Sequence, residues 1–122
     1  MIRKSKQRSA ILEVLAKSNR PLSIKEILEC AEKKIPKLGI ATVYRAIKDY
    51  LQSEDISEVA LPGSAQRYEI KHQSHYHHFW CRICDQVFRV EGCPGKLNFS
   101  PPKGFKAEMH DVTFKGVCVA CC

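Results

Sequence analysis

No stretch of this 122-residue chain is apolar for long enough to span a bilayer, so neither a membrane helix nor a membrane partner is expected. The N-terminus, basic from Arg3 to Arg8, lacks the apolar segment of a secretory signal, and a cytoplasmic protein is expected. A disulfide scaffold is disfavoured, because seven cysteines cannot all pair within one chain and thiols stay reduced without export. No carboxylate stands between histidines in the spacing of a zinc hydrolase, so neither an enzyme nor a small organic substrate is expected. Net charge is also missing from one part of the chain. Residues 51–122 carry 8 Lys and Arg against 8 Asp and Glu, whereas residues 1–50 carry 12 against 5, the whole net +7. Positive charge gathered in one segment points to a polyanion as partner, with a plain solvated basic surface as the alternative.

What is abundant is metal-ligating chemistry. Four of the five histidines (His72, His75, His77 and His78) fall within seven positions, just before Cys81-x-x-Cys84. A second pair at the same spacing, Cys118-x-x-Cys121, lies near the C-terminus. Two such knuckles supply four thiolates to one tetrahedral ion, so Cys81, Cys84, Cys118 and Cys121 are expected to hold a structural Zn²⁺. Four buried or disulfide-bonded cysteines are the plain alternative. A chain this short is close to the size at which an apolar core alone is marginal, and a structural metal adds its binding free energy to folding.

The order of elements predicts an α+β protein. Ile11, Leu12, Val14 and Leu15 mark a first helix over about 5–18, ended at Asn19-Arg20-Pro21 because proline disfavours helical geometry in the residue before it. Ser23-Ile24-Lys25-Glu26 reads as a capping box opening a second helix, with Ile24, Ile27, Leu28 and Ala31 buried and Cys30 as a small core residue. After a turn at 35–39, a third helix over 41–51 turns Val43, Ile47, Tyr50 and Leu51 inward. It leaves Thr42, Tyr44, Arg45 and Lys48 on or near its open face, the residue types that grip guanine, thymine methyls and phosphate. Period-2 runs at 56–61 and 66–70 flank Pro62-Gly63-Ser64, a hairpin that completes a winged helix-turn-helix and carries Arg67.

Together, Lys6-Gln7-Arg8, the Ala41-Thr42-Val43-Tyr44-Arg45 run, Arg67-Tyr68-Glu69, the histidine run ending at Cys81-x-x-Cys84, and Gly116-Val117-Cys118-x-x-Cys121 resemble the ferric-uptake-regulator (Fur) family, with a leaning toward its zinc-uptake regulators. The resemblance spans nearly the whole chain. It implies a homodimeric, metal-responsive transcriptional repressor of metal-homeostasis genes. Residues 1–70 would be the winged-helix DNA-binding domain and 71–122 a small α/β dimerisation domain with the Cys₄ zinc site. The third helix would enter the major groove of a double-stranded operator, and Lys4, Lys6 and Arg8 would hold the backbone or approach the minor groove. The connection over 91–104 departs from the family pattern, because Pro94, Pro101 and Pro102 leave room for little helix. Dimerisation is therefore expected mainly through edge pairing of a long strand over 105–115.

The resemblance also divides the remaining ligands. His75 and His77 alternate on a strand and share a face, and with His110 they match ligands of one family site. Cys93, in the connection where relatives often use a carboxylate, would complete a His₃Cys set; Glu91 is an oxygen alternative, and a buried structural thiol is the plain one. Thiolate favours Zn²⁺ over Fe²⁺ or Mn²⁺ as the second, regulatory metal. Glu69 and His78 match the family's hinge site. That site is damaged here, because Pro21 and Tyr76 stand where histidines are usual; His72 is a substitute. Cys122 is expected to be a free thiol. A redox or peroxide sensor of the same fold is the alternative function. A zinc enzyme with three histidines and an open water position has no other support in the sequence.

Overall fold

Ile11 and Leu15, one helical turn apart, are buried on one face of α1 (Ile2–Ser18). The computed structural model describes residues 2–71, 76–91 and 101–122. His72, His75, Cys93, most of the 91–104 connection and the side chain of Lys4 lie outside the described residues. The chain divides into two compact units, Met1–His72 and Gln73–Cys122.

In the first unit, α1 stops at Asn19, whose φ of 55° turns the chain into the left-handed region that asparagine tolerates. Buried Pro21 leads into a two-residue strand, β1 (Leu22–Ser23), and then α2 (Ile24–Ala31). The capping box is present in full: the Ser23 hydroxyl accepts from the Glu26 amide at 3.2 Å, and Glu26 Oε1 accepts from the Ser23 amide at 3.0 Å. Glu26 has a second task, because its other oxygen meets Arg20 at 3.0 Å. α3 (Ile40–Gln52) buries Val43, Ala46 and Ile47 against Ile11, Leu15 and Ile27. The side-chain pair Arg8–Asp49 and a hydrogen bond from the Tyr50 hydroxyl to the Arg8 carbonyl at 2.9 Å tie α1 to α3. β2 (Ile56–Val59) and β3 (Arg67–Ile70) form the antiparallel wing, and β1 adds to the outer side of β3 through Leu22↔Tyr68 and Ser23↔Arg67. That third strand has no period of its own to reveal it. Cys30, expected in the core, is exposed. At roughly 100° per residue it lies well outside the arc of Ile24, Ile27, Leu28 and Ala31.

The second unit is a three-stranded sheet in the order β5-β4-β6. β4 (Tyr76–Cys81) pairs antiparallel with β5 (Val87–Glu91) and parallel with β6 (Thr113–Gly116). The long strand expected over 105–115 is corrected to these last residues, 113–116. Residues 105–111 are exposed and lie outside any strand. No described helix is long and apolar enough to cross a membrane.

Candidate functional site

The parallel pairing of β4 with β6 delivers both cysteine knuckles to the same end of the sheet. Cys81 is the last residue of β4 and stands opposite Gly116, two residues before Cys118. The first knuckle closes as a tight turn: the Asp85 amide donates to the Cys81 carbonyl and the Cys81 amide to the Gln86 carbonyl, both at 3.0 Å. Asp85 takes a left-handed φ of 62°, and its carboxylate accepts from Trp80 Nε1 at 2.7 Å. The second knuckle turns through the Cys121 amide, which donates to the Cys118 carbonyl at 3.0 Å.

The sulfurs of Cys81, Cys84, Cys118 and Cys121 consequently lie within 4.8 Å of one another, with Cys84 and Cys118 at 3.9 Å. A tetrahedral zinc with Zn–S of about 2.3 Å separates its sulfurs by about 3.8 Å, so the four thiols fit that ion. Cys81 receives the amides of Cys84 at 3.5 Å and Cys118 at 3.4 Å. These donors, that of Cys84 foremost, lower its pKa to about 6 and prepare a thiolate. Cys121 is pushed up to about 12, first by its contact with the Cys118 thiol and then by burial. Four crowded thiols hold on to protons that a cation among them would displace. Cys122 stands outside this set, exposed, with its thiol toward the Val117 carbonyl at 3.6 Å. An apolar cleft of about 520 Å³ lined by Phe79, Phe88 and Val117 adjoins the knuckles.

Of the histidine candidates, the structure brings His77 and His110 together, with ring centroids 5.1 Å apart. His77 is fully buried on β4, while His110 is exposed on the segment leading to β6. The Val112 amide donates to His77 Nδ1 at 3.1 Å, and an Asp111 oxygen lies 3.9 Å from the same nitrogen. A neutral imidazole offers one lone pair, so ligation by His77 exchanges the Val112 hydrogen bond for a metal bond. Asp111 is not among the candidates singled out from the sequence. His78, also buried, projects from the other face of β4, and its directly opposed partner on β5 is Arg89. Directly opposed residues share a face, so a fixed cation stands on the His78 side of the sheet. Only the strand register reveals this neighbour. Glu91 pairs with Tyr76, which by alternation gives it the face of His78 and not that of His77. This corrects the expectation of Glu91 as an oxygen alternative beside His77. Glu69 is buried on β3 in the first unit.

The basic candidates separate in the same way. Tyr44, Arg45 and Lys48 are exposed on α3, Thr42 is half-buried, and Arg45 Nη2 donates to Thr42 Oγ1 at 3.3 Å. Lys6 is exposed on α1, and Arg8 is engaged by Asp49. Arg67 is corrected from a wing contact to an interior residue. It is buried, its guanidinium donates to the Ala65 carbonyl and to Ser64 Oγ, and its Nε lies 3.9 Å from Glu26. Pairing of β3 on both sides encloses it.

Comparison with known proteins agrees with this architecture. The model of the Ferric uptake regulator family matches residues 1–115. The peroxide operon regulator of Bacillus subtilis is 28% identical over 123 residues, covering 98% of this chain and 84% of that protein. The ferric uptake regulation protein of Helicobacter pylori is 33% identical over 87 residues, covering 70% of this chain and 57% of that protein. Among solved structures, the H. pylori ferric uptake regulator, described with three functional metal-binding sites, superposes with a TM-score of 0.70 at 26% identity, covering 95% of this chain and 79% of that one. A zinc-bound manganese uptake regulator shares the fold with a TM-score of 0.75 at 22% identity, covering 93% and 88%.

Proposed function

The chain belongs to the ferric uptake regulator family, and on that premise we propose that it is a metal-responsive transcriptional repressor of metal-homeostasis genes. It acts as a homodimer on double-stranded DNA. Residues 1–70 bind the operator through α3, with Tyr44 and Arg45 reading bases and Lys4, Lys6 and Lys48 holding phosphates. Residues 71–122 dimerise, in part through the outer edge of β6. Cys81, Cys84, Cys118 and Cys121 hold a structural Zn²⁺. The regulatory cation is held by His77 and His110, with His75 and Cys93 completing the set, and a thiolate in that set favours Zn²⁺ over Fe²⁺ or Mn²⁺.

The observation that carries this reading is the approach of His110 to buried His77 at 5.1 Å. A bound cation supplies a fixed positive charge and fixed ligand directions. The chain supplies the coupling: His77 belongs to a strand, His110 to an exposed segment outside any strand, and joining them ties that segment to the sheet. The Val112 amide is released from His77 as it does so. Imidazoles must be neutral and the thiol ionised to bind, so protons compete with the cation for this site. A peroxide-sensing regulator of the same fold, suggested by the B. subtilis relative's name, is the second reading. The test is metal content after purification without added metal, then DNA binding under Zn²⁺, Fe²⁺ and Mn²⁺ titration. A second zinc that switches DNA binding supports the reading. Iron as the switching metal, with loss of binding on peroxide treatment, supports the alternative.

A further inference from the structure

Among the described residues of the first unit, the exposed large hydrophobic side chains are Ile40 and Tyr44, at 51% and 56% exposure. They are one turn apart on α3 and line the same cleft of about 380 Å³. Lys25 near the start of α2 and Gln66 and Tyr68 of the wing form its other walls. Ile40 is the first residue of α3, following the Gly39 cap. It projects along the line of buried Ile47, but two turns further out, past the edge of the core. Thr42 and Arg45 occupy the opposite flank and bond each other. The N-terminal end of the helix thus has an apolar flank and a polar flank, in the part of the chain that carries the whole net charge of +7.

We propose that Ile40 is a specificity-determining residue that packs on the C5-methyl of a thymine in the major groove. The inference rests on the DNA-binding reading above. The first residues of a recognition helix are those that reach base edges. An isoleucine side chain neither donates nor accepts a hydrogen bond, and the C5-methyl of thymine is the apolar feature that the major groove presents. Lys25, on the far wall of the cleft, complements the adjacent phosphates. Arg45 reads polar edges from the other flank, so one helix registers a methyl and a donor–acceptor pattern at neighbouring base pairs.

The experiment uses the full chain with Zn²⁺. A preferred duplex is selected from a random pool, and each thymine is then replaced singly by deoxyuridine, which removes only the methyl. Wild-type protein is expected to lose about fourfold in affinity per half-site at the thymine that Ile40 touches, the weight of one buried methyl. Ile40→Ala is expected to bind the thymine duplex more weakly and to show no further loss at that position. Ile40→Val, which leaves the helix start and core edge undisturbed, reduces the penalty at the same thymine and serves if Ile40→Ala does not fold. An unchanged pattern of deoxyuridine penalties in both variants overturns the proposal. If wild-type protein selects a sequence but no thymine methyl matters, the role of Ile40 falls and the DNA-binding reading stands. If no sequence is selected, both fall.

Discussion

Arg45 and Arg67 carry the same guanidinium into opposite surroundings, one exposed on α3 and one enclosed by β1, β2 and Glu26. Arg67→Ala is expected to lower the unfolding midpoint, at a cost of about 1–3 kcal/mol, because it takes a buried donor from the Ala65 carbonyl and a nearby positive charge from Glu26. Arg45→Ala is expected to leave stability within about 0.5 kcal/mol, as exposed substitutions do. On the proposed reading it costs about 1–3 kcal/mol of base discrimination if the contact is bidentate. Thermal unfolding and competition binding against base-substituted duplexes separate the two. The sequence could not distinguish these arginines. Nothing next to either residue in sequence separates them; Arg67 is enclosed because β3 pairs with β2 on one side and with the distant β1 on the other.

At the scale of elements, local signals were legible and distant pairings were not. The capping box was readable because its partners are three residues apart, and Ser23→Ala is expected to cost about 1 kcal/mol in equilibrium unfolding. The knuckles were equally readable, because thiolate spacing alone defines them. Alternation over 105–115 predicts a long strand, and within the chain β4 pairs only with 113–116 of it. A local cluster also makes a pH prediction. Glu13 on α1 is held by Lys17 and Lys34, which lower its pKa from 4.5 to about 2. Its folded pKa is depressed, so its contribution is present above about pH 4.5 and is lost as pH falls toward 2. Glu13→Gln is expected to flatten the acid limb of the stability profile in that window and to leave its alkaline side unchanged.

For the whole molecule, the proposed account makes one metal structural and the other regulatory, and the two are separable. Cys121→Ser is expected to lower zinc content by about one ion per chain and to loosen the second unit, because structural zinc binding is folding free energy. Full zinc with unchanged unfolding would contradict that assignment. The central claim is that His77 and His110 form the switch, and the most direct measurement is DNA binding during Zn²⁺ titration of His110→Ala beside wild type. Loss of zinc-dependent binding is predicted, with the Cys₄ zinc and the dimer retained. Normal switching by His110→Ala, together with failure of His78→Ala or Glu69→Ala, would contradict the account and assign the switch to the other face of β4.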